Sequence, residues 1–147
     1  MGWFSKKLKV QPPYDTLTLD QQRALYFLLE YFSDFSKMNF MFGSWEYADA
    51  CNYVDKARWY LGLSKKDVEI LRPSYQDIEQ LYAVIKGIHN QKILDYMVSN
   101  CYNLVILARG ENQEPAHKTL YAFWKRFGYT DGDIWAITQK YMYRTEI

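Results

Sequence analysis

The chain has 147 residues, of which 49% are hydrophobic and 18% aromatic, enough to form one domain around a single core. Eighteen basic and seventeen acidic residues give a net charge of only +1. A general nucleic-acid binder has a strong positive charge, so this class of protein is not indicated. No apolar stretch is long enough for a transmembrane helix and the N-terminus lacks the apolar core of a signal peptide, so we expect a cytoplasmic protein. Cys51 and Cys101 fall in apolar helical patterns, which predicts buried thiols rather than a disulfide.

Residues 1–17 form an N-terminal arm that differs in character from the domain at 18–147, and Pro12-Pro13 separates the two. The arm combines two aromatic residues with lysines that can face a membrane or a partner: Trp3, Phe4, Lys6 and Lys7. This combination is typical of segments that lie on an anionic membrane surface. The alternative is a short arm that Trp3 and Phe4 fold onto the domain, and we favour this second interpretation.

Seven helices and no strand are predicted, so the fold class is all-α, a single compact helical bundle. The first helix follows Thr18, which forms a capping box with Gln21. The second runs from about residue 44 to 61, and the third from 65 to about 71, where Pro73 ends it.

The later helices are marked by caps and by apolar periodicity. Ser74 with Asp77 is predicted to cap the fourth helix. The fifth, from about residue 91 to 108, carries apolar residues on more than one face, which predicts that it forms the centre of the bundle. The sixth starts at Pro115, a residue favoured in the first turn, and the seventh follows Thr130.

One pattern occurs twice without a gap, in residues 59–68 and 125–134. Each copy has a bulky apolar residue that ends a helix, a glycine after it, and a hydroxyl residue followed three positions later by an acid. The matched pairs are Leu61 and Phe127, Gly62 and Gly128, Ser64 and Thr130, and Asp67 and Asp133. Glycine in this place takes a positive φ, and the hydroxyl and the acid form a capping box. The pattern therefore predicts two related helical halves, an internal repeat.

The loop between the first two helices is unusually rich in large apolar side chains: Met38, Phe40, Met41 and Phe42. Flexible thioethers and aromatic rings suit an adaptable surface that binds a protein partner. The same side chains could instead be buried in the core.

Three acids surround this loop, Asp34, Glu46 and Asp49. Carboxylate oxygens of this kind bind Ca²⁺ or Mg²⁺. The helix dipole gives a second explanation for Glu46 and Asp49, because negative charge is favoured in the first turns of a helix, and we prefer it. No nucleotide-binding loop, zinc motif or hydrolase motif occurs, so we predict no catalytic residue and no enzyme.

Each predicted half has a long helix, an acidic loop, a second helix and a short helix. The second helix ends in Leu-Gly-Leu-Ser (residues 61–64) or a variant of it. This arrangement resembles the tellurite-resistance TerB-like family. The opening of the chain, residues 1–9, is also similar to the start of such bacterial proteins. Over residues 18–140 the resemblance implies an all-helical fold, a cytoplasmic bacterial setting and a role in stress response or envelope-associated complexes. Family members carry acids implicated in metal binding after each long helix, whereas Arg109 stands here where Asp is expected.

Two functions follow as alternatives. The first is a non-enzymatic interaction or stress-response module that binds an unidentified protein through residues 38–42. The second is a protein that binds a divalent cation through its acidic loop. The N-terminal arm adds a peripheral contact with the inner face of the membrane as a further prediction.

Overall fold

The computed structural model describes residues 8–37, 45–108 and 110–141, without the side chains of residues 36, 37, 45 and 46. Within these ranges the chain is all-α, as predicted, with no strand. Its seven helices are α1 (Leu19–Lys37), α2 (Trp45–Tyr60), α3 (Lys65–Leu71), α4 (Ile78–Ile85), α5 (Gln91–Val105), α6 (Gln113–Lys125) and α7 (Asp131–Tyr141). Short 3-10 turns lie at Tyr14–Thr16, Arg72–Ser74 and Gly110–Asn112.

Three helices begin with the reciprocal caps that the sequence predicts: Thr18 with Gln21 before α1, Ser64 with Asp67 before α3, and Thr130 with Asp133 before α7. In each pair the hydroxyl accepts a backbone N–H at 3.0 to 3.1 Å. The partner side chain accepts the backbone N–H of the hydroxyl residue. Two otherwise unpaired backbone donors are satisfied at each helix start.

Two predicted helix starts are wrong. Ser74 lies in the 3-10 turn after α3, and Asp77 itself caps α4 because its side chain accepts the backbone N–H of Glu79 at 2.9 Å. Helix α6 begins at Gln113 rather than Pro115, directly after a 3-10 turn. Proline fits anywhere in a first helical turn, where its missing N–H has no partner to lose, so its position did not fix the boundary.

The core is shared by α5 and α1. Met97, Cys101 and Leu104 of α5 are fully buried, in agreement with the predicted central position of this helix. Helix α1 is also buried on more than one side, since residues 24–29 are all inaccessible and the helix packs against α2, α4, α5 and α6. The apolar periodicity of α1, with Leu25, Leu28, Leu29 and Phe32, predicts a single apolar stripe. Residues on its other faces are covered because helices pack around it on several sides.

Residues 8–17, which we assigned to the arm, pack onto the bundle. The ring of Tyr14 is fully buried. The side-chain amide of Gln22 donates to the backbone oxygens of Tyr14 and Leu17, both at 3.1 Å. The described part of the arm is therefore continuous with the core.

Both glycines of the repeated pattern follow a helix and have positive φ, 72° at Gly62 and 92° at Gly128, as predicted. The relation between the two halves as a whole stays a prediction. Both cysteines are free, with Cys101 buried as predicted and Cys51 only partly buried. Burial raises the pKa of the Cys101 thiol, which keeps it protonated and unreactive.

Candidate interaction surface

The turn from α2 to α3 is built around Gly62. The backbone N–H of Leu63 donates to the oxygen of Arg58 at 3.1 Å, and that of Gly62 donates to the oxygen of Trp59 at 3.1 Å. This pair of bonds is a Schellman motif, which needs a residue of positive φ at the position of Gly62. A guanidinium nitrogen of Arg58 also donates to the backbone oxygen of Leu63 at 2.7 Å, so Arg58 is part of the turn.

The N-terminal segment lies directly against this turn. A β-carbon at Gly62 would be 2.8 Å from Val10 Cγ2 and 3.3 Å from the backbone oxygen of Leu8, so only glycine leaves room for the segment. The backbone N–H of Gln11 donates to the oxygen of Tyr60 at 2.9 Å. This bond satisfies one of the carbonyls left open at the end of α2.

This contact brings together five exposed side chains, which we call the Gly62 face: Lys9, Lys56, Trp59, Lys65 and Lys66. Lys9 belongs to the N-terminal segment beside Gly62. Lys56 and Trp59 lie in the last turns of α2, whereas Lys65 and Lys66 are the first two residues of α3. All five therefore belong to the three segments that meet at the α2–α3 turn.

The charges on the two segments that meet at Gly62 are of one sign. Residues 1–14 and 56–66 contain seven of the eighteen basic residues of the chain and none of the seventeen acids. Three carboxylates border the face. Asp55 lies 3.6 Å from Arg58, Asp67 is held in the cap of α3, and Glu69 follows Lys65 by one turn.

Lys65 and Lys66 lie in the first turn of α3, where the helix dipole disfavours positive charge. The first turn of a helix carries the positive end of its dipole and favours acids. Among the described residues, neither lysine has a salt-bridge partner. Neither lysine therefore gains free energy from the helix dipole or from a salt bridge.

The predicted site residues fall in different places. Two of the predicted sites lie outside the described part: the arm residues Trp3, Phe4, Lys6 and Lys7, and the loop residues Met38, Phe40, Met41 and Phe42. Their predicted contacts with a membrane or a protein partner therefore stay predictions. Lys9, the last turns of α2 and the start of α3 were not predicted as a site. The sequence holds one sign of them, the absence of acids from residues 1–14 and 56–66, but only the contact at Gly62 shows that the two segments meet.

The predicted metal ligands stay a prediction. Asp34 on α1 and Asp49 on α2 are exposed, while the Glu46 side chain is not described. Asp34 lies in the field of Arg72, whose pKa is raised first by its hydrogen bonds to Glu30 and also by the charge of Asp34. Within the described ranges, no group of three or more His, Cys, Asp or Glu side chains is arranged to hold a metal ion.

Two open depressions adjoin at Gln91. One, of about 610 Å³, lies between the start of α1 and the connection from α4 to α5. The other, of about 390 Å³, holds a cluster in which the Tyr129 hydroxyl and the Gln91 amide both donate to Asp95 Oδ1, at 2.6 and 2.9 Å. Burial, followed by Asp95, raises the pKa of Tyr129, so its hydroxyl remains a donor. These bonds join α5 to the turn between α6 and α7.

A second polar cluster is internal. The Tyr53 hydroxyl of α2 donates to the side-chain oxygen of Asn100, and the Asn103 amide donates back to Tyr53 at 3.1 Å. Both asparagines are buried. Burial raises the pKa of Tyr53, which keeps the phenol neutral. The cluster therefore connects α2 to α5 and has no exposed reactive group.

Comparison of the chain with protein-family models, with curated proteins and with solved structures gives no match. The resemblance to the TerB-like family therefore stays a prediction from the sequence pattern. In the described part of the chain, no helix has the length and apolarity that crossing a membrane requires.

Proposed function

We propose that this protein is a non-enzymatic interaction module that attaches to an anionic partner surface through the Gly62 face. The observation that carries the proposal is the sorting of charge. Two segments far apart in the chain, both free of acids, are held together by the Gln11–Tyr60 hydrogen bond and by the close contact at Gly62.

The lysines of the face act together. At physiological ionic strength, charges interact over about 8 Å before salt screens them. Lys65 and Lys66 are neighbours, and Lys9 lies beside the glycine three residues before Lys65. With four exposed lysines and three bordering carboxylates, the face is positive although the net charge of the whole protein is only +1.

The stability of the fold does not explain this arrangement. Lys118 and Lys125 each have a carboxylate partner, Glu114 at 3.0 Å and Asp131 at 3.1 Å. Lys65 and Lys66 have no such partner among the described residues and occupy the unfavourable end of α3. Attraction to an outside anion supplies a reason for both.

Retention on immobilised heparin, a soluble polyanion, tests the proposal. The double variant Lys65→Glu/Lys66→Glu removes the centre of the face. The matched control Lys86→Glu/Lys140→Glu reverses two exposed lysines on α7 and at the end of α4, and changes the net charge equally. We expect the first variant to elute at clearly lower salt than the control, because only its lysines belong to the face. Elution of both variants at the same salt would contradict the proposal.

A further inference from the structure

The Gly62 face has an apolar component as well as a charge. Trp59 is 50% exposed, although its ring packs edge-on against Tyr60 with the centroids 5.3 Å apart at 85°. The indole is therefore oriented by a neighbour and still presented to the outside. An amphipathic indole of this kind is typical of the boundary between lipid headgroups and acyl chains.

A second apolar side chain continues the face along α3. Ile70 is 65% exposed and follows Lys66 by four residues, so the two lie on the same side of the helix. An exposed branched aliphatic side chain beside lysines gains nothing from a phosphate group alone. It gains free energy if the surface that attracts the lysines also offers a hydrocarbon environment.

The type of cation also narrows the class of partner. All the exposed cations of the face are lysines. The guanidinium of the nearby Arg58 is bound within the protein, by a hydrogen bond to the backbone oxygen of Leu63 and an ion pair with Asp55. Planar, forked arginines are favoured where phosphate is recognised with defined geometry, as in nucleic acids and phosphopeptides. Lysine is a flexible point charge whose alkyl chain can lie on apolar surface while its ammonium reaches outward.

Resting on the proposed function, we infer that the anionic partner is the surface of a phospholipid bilayer, with Trp59 and Ile70 at the headgroup boundary and the lysines on anionic headgroups. The chain outside the described part supports this occupant. Residues 1–7 are joined to Leu8 at the edge of the face, and their sequence adds Trp3, Phe4, Lys6 and Lys7 without an acid. Stable attachment of a peripheral protein to a membrane needs more than one kind of contact, and this part of the chain combines basic with aromatic side chains.

The contribution of Trp59 separates a bilayer from other polyanions. The test measures binding of the full chain to vesicles of phosphatidylcholine and phosphatidylglycerol in equal parts, and to vesicles of phosphatidylcholine alone. Trp59→Ser is compared with Trp135→Ser, whose indole on α7 is 61% exposed but lies outside the face. We expect Trp59→Ser to weaken binding to the anionic vesicles about three- to tenfold, because the bilayer can no longer bury the exposed half of the indole. We expect Trp135→Ser to bind as the wild type does.

Heparin distinguishes a failure of this inference from a failure of the proposed function. A bilayer partner predicts that Trp59→Ser weakens vesicle binding by a larger factor than it weakens retention on heparin, because heparin offers charge without hydrocarbon. Equal vesicle binding by Trp59→Ser and Trp135→Ser would overturn the bilayer inference, while the heparin result for the lysine variants decides the anionic face itself. Stronger binding of the wild type to polyuridylate RNA than to the vesicles at equal ionic strength would also overturn it.

Discussion

Gly62 links the local end of a helix to a contact with a distant part of the chain. Its positive φ closes the Schellman motif of α2, and its missing side chain admits residues 8–10. Gly128 has the same conformation but no atom within 4 Å of a β-carbon placed there. The two glycines are thus alike in backbone and different in surroundings.

Replacement of each glycine by alanine measures this difference. Both variants force a β-carbon into a positive-φ position, which costs about 1 to 2 kcal/mol. Gly62→Ala should lose more free energy of unfolding than Gly128→Ala, because Val10 must also move. Urea denaturation gives both values. Equal losses would mean that the N-terminal segment does not press on the turn.

At the scale of elements, the sequence correctly predicted three of four capping pairs, and the fourth, Ser74 with Asp77, was wrong because Asp77 itself caps α4. The capping pairs Thr18/Gln21, Ser64/Asp67 and Thr130/Asp133 could be predicted because each depends on residues three positions apart. The burial of several faces of α1 could not, because it depends on which helices pack around it. The buried asparagines of α5 were missed for the same reason, since their partner Tyr53 lies on α2.

The central position of α5 predicts unequal effects of two leucine substitutions. Leu104→Ala should lower the free energy of unfolding by about 2 to 5 kcal/mol, because the leucine is fully buried and its removal leaves a cavity. Leu8→Ala should cost well under about 1 kcal/mol, as that side chain is only partly buried. Denaturation of the two variants checks this, and similar losses would show that the core is placed wrongly.

One substitution in α3 is predicted to weaken binding without lowering the free energy of unfolding. Lys66→Glu should leave the free energy of unfolding unchanged or raise it by about 0.3 to 1 kcal/mol, because an acid suits the first turn of a helix. Thermal and urea denaturation at low salt measure the change. A clear destabilisation would mean that Lys66 has a structural role, which would remove one reason for assigning it to a binding surface.

At the scale of the whole molecule, the near-neutral net charge conceals an uneven distribution. Residues 1–14 and 56–66 hold seven basic residues and no acid, which leaves eleven basic residues against seventeen acids in the rest of the chain. Composition alone argued against a general nucleic-acid binder and left a local basic patch open, because it averages over both parts. Recognition of the face required the contact between residues 8–11 and the α2–α3 turn, which the sequence pattern does not show.

The most direct test of the account is the dissociation constant of the full chain for anionic phosphatidylglycerol-containing vesicles, measured for the wild type, Lys65→Glu/Lys66→Glu and Lys86→Glu/Lys140→Glu. Each lysine near an anionic bilayer contributes about 1 kcal/mol, so loss of the pair at the face should weaken binding by at least about thirtyfold. The control, with the same net charge, should stay much closer to the wild type. If the two variants bind equally, or if the wild type binds vesicles of phosphatidylcholine alone just as well, attachment through the Gly62 face is wrong.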